Sequence, residues 1–264
     1  MIKLSACIEM IFRELDFCDR IAAVKQAGLP AFEFWGLGGK DLEAIEKASK
    51  QHELPIAGFT MSSIDPELAG LWQKSGLVDP DGHDIALKVA QESIAIAQKL
   101  DAKNIIVTVG QEIKDLPRSI QHDSIVESLK MMAPLAERAG VTLVVEPLNI
   151  AVNHKGYYLY SSAEGFDIIR AVSSPNVKLL YDIYHQQVTE GNLIQTITEN
   201  IELIGHFHVA DVPGRHEPGT GEINYANVFK AIDETGYNGY VGLEYAPEAS
   251  ALESLHKVKA LADL

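Results

Sequence analysis

The sequence predicts an α/β protein folded as a (β/α)8 TIM barrel, parallel and eight-stranded, and three observations predict it. Short apolar runs rich in β-branched and aromatic residues alternate with longer amphipathic stretches, the mark of repeated strand-helix units. Eight such runs occur, each followed by a helical pattern, which suits a closed parallel barrel. A length of 264 residues with 47% hydrophobic residues can bury a core of that size as one domain spanning 1–264.

In order, the strands are expected at 3–8, 31–35, 55–60, 104–109, 142–146, 177–182, 203–209 and 239–245. Helical spacing is clearest at 84–100 and 123–139, where Ile, Leu, Val, Ala and Met recur every three or four residues between Lys, Glu and Gln. Gly28 and Gly140 each end a helical pattern just before a strand, where a left-handed cap is needed. The stretch 61–83, dense in Pro and Gly, is expected to be an irregular loop at the barrel mouth. A terminal helix at 248–262 closes the pattern. An open doubly wound sheet is the structural alternative. Against it, no Gly-x-Gly-x-x-Gly follows the first strand, and the cluster from Gly36 to Lys40 has neither that spacing nor a Walker spacing.

Charge narrows the partners. With 22 Lys+Arg against 37 Asp+Glu the formal charge is -15, so the surface repels phosphate backbones and anionic lipid, and no nucleic acid or membrane partner is expected. A small-molecule substrate is expected instead, and a homo-oligomer is compatible with the composition. Two cysteines, Cys7 and Cys18, form no disulfide framework. Neither a signal peptide nor a membrane-length apolar run is evident, so the protein is expected to be cytoplasmic.

In a parallel barrel the C-terminal strand ends converge on one mouth. Four consecutive strands end on ionisable groups: Glu146, Asp182, His208 and Glu244. Each alone could be a loop anchor or a satisfied core histidine. Together, three carboxylates that close repel one another unless a cation holds them. The set points to a divalent metal, with oxygen-rich donors suiting Mn2+ or Mg2+, and Co2+ or Zn2+ also accepted.

The strings Glu146-Pro147-Leu148-Asn149, Tyr181-Asp182-Ile183-Tyr184-His185, Gly205-His206-Phe207-His208, Pro213-Gly214-Arg215-His216-Glu217-Pro218-Gly219 and Gly221-Glu222-Ile223-Asn224-Tyr225 resemble the hydroxypyruvate isomerase family. That family is one of the xylose-isomerase-like barrels and is related to the ketose 3-epimerases. The resemblance implies that Glu146, Asp182, His208 and Glu244 hold the metal, with Glu146 and Glu244 also acting as acid and base. It implies further that His185 and Arg215 contact substrate oxygens. Arg215 could grip a carboxylate with two parallel hydrogen bonds, as a keto acid would require. Glu33, Lys40, Tyr157 and Glu217 fall at the implied pocket rim, each equally open to a structural role.

Two positions depart from the pattern. The isomerases commonly carry glutamine where this chain has His208, whereas the epimerases carry histidine. The epimerases in turn follow the metal glutamate with Arg and Glu, where this chain has Ile150 and Val152. The activity implied is proton transfer through an enediolate on a small hydroxy-carbonyl compound, such as hydroxypyruvate and tartronate semialdehyde or a 2-oxo-sugar acid. A ketose or keto-sugar 3-epimerase is the alternative, and a non-catalytic sugar-binding barrel a second. A metal-dependent endonuclease on the same barrel is disfavoured by the acidic charge.

Overall fold

Strand and helix alternate from the first apolar run onward in the computed structural model, which describes residues 2–263. The first half of the chain gives β1 (Lys3–Cys7), α1 (Phe17–Gln26), β2 (Ala31–Phe34), α2 (Leu42–His52), β3 (Ile56–Thr60), α3 (Pro66–Ser75), α4 (His83–Leu100) and β4 (Asn104–Val107). The second gives α5 (Arg118–Ala139), β5 (Thr142–Val145), α6 (Ser162–Val172), β6 (Val177–Asp182), α7 (Ile183–Thr189), α8 (Leu193–Glu199), β7 (Ile204–Val209), α9 (Tyr225–Glu234), β8 (Tyr240–Leu243) and α10 (Ala251–Ala262). The strands pair in parallel in chain order and β8 closes on β1, so the barrel is complete.

The eight strands lie where the apolar runs placed them, shorter by up to three residues. The stretch 61–83 differs: it holds α3 and a 3-10 turn at Pro80–Gly82. Its Pro and Gly punctuate a helix rather than prevent one. Pro66 stands in the first turn, where no N–H is needed, and the Asp65 carboxylate accepts from the Glu67 N–H at 2.9 Å. Similarly α5 starts at Arg118, directly after Pro117, and runs through Pro134. Gly28 and Gly140 take positive φ as their helices end. No helix among the described residues is long and apolar enough to cross a membrane.

Period-two alternation sorts each strand into two faces. Phe32 and Phe34 of β2 face the helices, where Phe34 stacks on Phe59 of β3 with ring centroids 5.5 Å apart. Each such buried ring contributes about 1.5–3 kcal/mol. Inside the barrel Ile106, Val144 and Leu180 form a separate apolar cluster. The polar side chains described next share that interior.

Candidate active site

Each of the four strand-end groups is held by its own strand. Glu146 lies one residue past β5, its N–H donating to Val107 O at 3.0 Å, and Glu244 one past β8, donating likewise to Val209 O at 3.1 Å. Asp182 both ends β6 and caps α7, its Oδ1 accepting from the His185 N–H at 3.0 Å, which fixes the carboxylate and leaves Oδ2 free of that duty. His208 sits in β7 with Asp182 and Gly242 as its Cα partners on either side.

The result is a tight, buried cluster able to hold a metal ion. One donor atom from each of Glu146, Asp182, His208 and Glu244 lies within 4.8 Å of the others. His208 Nδ1 is 3.3 Å from Glu146 Oε1 and 3.4 Å from Glu244 Oε2. Although buried, Glu146 Oε1 and His208 Nδ1 make no hydrogen bond. Unpaired acceptors of this kind are costly unless a cation meets them, so the donor set fits a divalent ion.

The electrostatics of the two glutamates diverge. Burial pushes Glu146 up to about 7, with Glu244 and Asp182 adding to the rise and His208 opposing it. Burial also acts on Glu244, but His208, Arg215 and Trp35 outweigh it and hold Glu244 well below the usual carboxylate range. Trp35 Nε1 donates to Glu244 Oε1 at 2.6 Å and Arg215 Nη2 to Oε2 at 2.5 Å. His208 feels burial in the opposite sense, yet the Glu244 and Glu33 carboxylates keep it well above its ordinary value.

A cavity of about 290 Å3 opens above the cluster, lined by Glu146, His208, Arg215 and Glu244 on one side and by Trp35, Thr60, Ile106 and Thr108 on the other. Arg215 reaches it from the loop after β7, its Cζ 5.3 Å from the centroid of the Tyr184 ring. His185 lies behind Asp182, fully buried, with Nε2 3.6 Å from Asp182 Oδ2. Its Nδ1 accepts from the Asn149 N–H at 3.2 Å and lies 2.6 Å from Asn149 Nδ2, so the free proton position is Nε2. Burial lowers His185 to about 4, with Asp182 opposing and Arg215 reinforcing.

The remaining rim candidates lie elsewhere. Glu33 is 1% exposed beneath the cluster, accepting from Ser5 Oγ at 2.8 Å and facing His206 and His208. Burial raises it, but the two histidines bring it down to about 2. Glu217 is buried against the backbone after β8, accepting from the Glu248 N–H at 3.0 Å. Lys40 spends its charge on Glu9 at 2.8 Å and on Trp35 O at 2.6 Å. Tyr157 ties two strand ends together, donating to Glu146 O at 2.9 Å and accepting from the Val109 N–H at 2.8 Å. None of the four lines the cavity. Their polar atoms are taken up by the scaffold, the structural role that the sequence left open for each.

A family model described as xylose isomerase-like TIM barrel matches residues 21–261. The chain belongs to that family. Hydroxypyruvate isomerase of Escherichia coli (strain K12) is 32% identical to it over 253 residues, 95% of both chains. The 2-oxo-tetronate isomerase of Cupriavidus necator is 31% identical over 262 residues, 98% of both. Among solved structures, that of AP endonuclease, family 2 from Brucella melitensis superposes with a TM-score of 0.91 at 27% identity, covering 98% of this chain and 99% of that one. With relatives named as isomerases along nearly its whole length, this member of the xylose isomerase-like family is an isomerase.

Three groups at the site of this isomerase escaped the sequence reading. Trp35 directly follows β2 and clamps Glu244; His154 lines the cavity with its ring centroid 5.2 Å from that of His185; and Asn149 sets the His185 ring. For Trp35 a signal existed: a large apolar ring at a strand's C-terminal end, 42% exposed where its neighbours in β2 are buried. His154 and Asn149 depend on how the loop after β5 folds back, which no periodicity encodes.

Proposed function

We propose that this isomerase moves a proton between adjacent carbons of a short 2-oxo acid with a neighbouring hydroxyl, of the hydroxypyruvate or 2-oxo-tetronate class, using a divalent metal held by Glu146, Asp182, His208 and Glu244. The observation that carries the reading is the facing pair of carboxylates: Glu146 and Glu244 sit 3.3 and 3.4 Å from one imidazole nitrogen on the floor of a small cavity. A bound Mn2+ or Mg2+ would polarise the substrate carbonyl and stabilise charge growing on its oxygens.

The chain's own groups supply the rest. One of the two glutamates takes the proton from the carbon beside the carbonyl, and its return to the neighbouring carbon exchanges ketone and aldehyde; in hydroxypyruvate this moves a proton from C3 to C2 and gives tartronate semialdehyde. Arg215 offers a guanidinium at the cavity wall for the substrate carboxylate. His185, its ring set by Asn149 and uncharged near neutral pH, does not line the cavity, so its unpaired Nε2–H can donate only to a substrate oxygen that reaches down beside Asp182. Trp35 and Arg215 keep the Glu244 carboxylate in one orientation while the substrate turns over.

The test is proton exchange in D2O followed by NMR, with metal-stripped protein, with and without Mn2+, on hydroxypyruvate, 2-oxo-tetronate and free ketoses. Mn2+-dependent deuterium incorporation into a 2-oxo acid, abolished in Glu146→Gln and in Glu244→Gln, is expected. Exchange confined to C3 of a ketose would replace the isomerisation with epimerisation, and no exchange in any compound would overturn the proposal.

A further inference from the structure

Below the pocket floor, where no substrate reaches, Glu33 holds a position the proton-transfer scheme does not use. Its side chain is 1% exposed and points into the barrel interior from β2. Oε1 lies 2.8 Å from His208 Nε2, and Oε2 lies 2.9 Å from His206 Nε2 and 2.8 Å from Ser5 Oγ. A carboxylate offers only acceptors, so the histidine nitrogens that face it must carry the protons, and Ser5 must donate. We infer that Glu33 is a positioning residue for His208: its Oε1, packed 2.8 Å beneath Nε2 without a formed hydrogen bond, favours the proton on that nitrogen and so leaves the Nδ1 lone pair facing the Glu146–Glu244 pair and the metal. The inference rests on the reading of this site as a metal centre and extends it one layer inward.

A second, independent feature is built around the same pair. Gly242 of β8 is the Cα partner of both His208 and Ser5. A Cβ there would stand 2.3 Å from Glu33 Oε1 and 2.7 Å from His208 Cδ2. Only glycine at 242 lets the carboxylate and the ring meet, so the strand opposite Glu33 is cut to fit this contact.

Glu33, His206 and His208 are also near enough together to suggest a second metal centre. The spacing argues for direct contact instead: His206 Nε2 is hydrogen-bonded to Oε2, and His208 Nε2 packs against Oε1. Donor atoms around a tetrahedral zinc stand roughly 3.3 Å apart, given bonds of about 2.0–2.1 Å, whereas these nitrogen-oxygen gaps are 2.8 and 2.9 Å. Ser5 completes the acceptor's partners, and all four residues are sealed from solvent.

The experiment measures Mn2+ affinity by electron paramagnetic resonance of the free ion, in the wild type, Glu33→Gln, Glu33→Asp and Gly242→Ala. In Glu33→Gln the amide can present N–H to His208 and so admit the wrong tautomer. We expect Mn2+ to bind about 10–100-fold more weakly, with Glu33→Asp, which keeps the carboxylate, nearer the wild type. Gly242→Ala should weaken binding in the same direction. In the Mg2+-loaded wild type, 15N-histidine NMR should find the His208 proton on Nε2, a readout that requires no variant to fold. A Glu33→Gln affinity within twofold of wild type would overturn the positioning role while leaving the metal centre intact; a proton on His208 Nδ1 would overturn both, since that nitrogen would then have no lone pair for the metal. A wild type that binds no Mn2+ would overturn both.

Discussion

The two halves of the barrel do different work. From β5 to β8 every strand ends on a group that titrates, and those four groups meet in one cluster. From β1 to β4 the strand ends bring a tryptophan and two threonines to the same cavity and no charge at all. Yet the first half is not passive. It sends Ser5 and Glu33 underneath the cluster and Trp35 over its edge, so that reactive groups come from one half and much of their orientation from the other. A charged wall opposed by an uncharged one suits a small substrate whose charged and metal-binding atoms face one way.

The hardest blow to this division is a matched pair of substitutions across the cavity. Glu146→Gln removes a proton carrier and is expected to lower the exchange rate by about 10²–10⁴-fold. Thr108→Val on the opposite wall removes one hydroxyl and should cost no more than about tenfold. Steady-state rates for the two variants decide the matter. Comparable losses would mean that the charged half has no monopoly on the chemistry.

Next in size is a pH effect confined to the charged half. Glu146 is raised in the folded protein to about 7 from an ordinary 4.5, so the folded state binds this proton more tightly. Its contribution to the metal-free protein is therefore full below about 4.5 and is lost as pH rises through 7, on the order of 3 kcal/mol. Glu33 runs the opposite way: lowered to about 2, it stabilises above 4.5 and its share is lost only as pH falls toward 2. Between pH 5 and 8 Glu33 stays ionised, while Glu146 and the shifted histidines, His185 lowered and His208 raised, change; of these only Glu146 and His208 belong to the metal cluster. Thermal melts in EDTA and in Mn2+ should show a gap in Tm that widens over that range, because the metal needs the glutamate ionised. A gap that narrows would sink the assignment of Glu146 to the metal centre.

Trp35 tests what the quieter half contributes. Trp35→Phe keeps a ring on the wall but deletes the N–H held by Glu244 at 2.6 Å. Loss of one hydrogen bond to a charged group predicts a fall of about tenfold in kcat, near 1.4 kcal/mol, with Arg215 still in place. If Trp35→Phe turns over at the wild-type rate and Trp35→Ala does not, the first half supplies shape alone.

These experiments also mark what the sequence discloses. The barrel was legible because eight apolar runs recur with amphipathic helices between them, and the converging strand-end groups were legible because a parallel barrel fixes where strand ends go. Glu33 was visible as a charge in an apolar run, but β2 is buried on both faces, so the alternation that sends Glu33 inward and Phe32 and Phe34 outward leaves no polar trace. Helix α3 was hidden because Pro66 and Gly76, which bound it, look the same as residues that forbid a helix. Lys40 and Glu217 were placed at the rim by the family resemblance, which carries no account of the partners that consume their charge, Glu9, Trp35 O and the Glu248 N–H, lying across loops.

The smallest expected effect concerns the rim of the charged half. Val152 is 68% exposed on the loop after β5, near Ile150 at 37%. The loop is shaped from within by Asn149, whose Oδ1 accepts from the N–H of Val152 at 3.0 Å and of Asn153 at 3.2 Å, so the Val152 side chain has little part in holding it. Val152→Ser should then change stability by less than about 0.5 kcal/mol. A substrate of three or four carbons, seated on the cluster and gripped by Arg215, would not touch this position, so kcat/KM should stay within about twofold, a change under about 0.5 kcal/mol. A larger shift, in either direction, would mean that the substrate extends past the cavity onto this loop; the charged half would then select the substrate as well as transform it, and longer sugar acids would become the compounds to try.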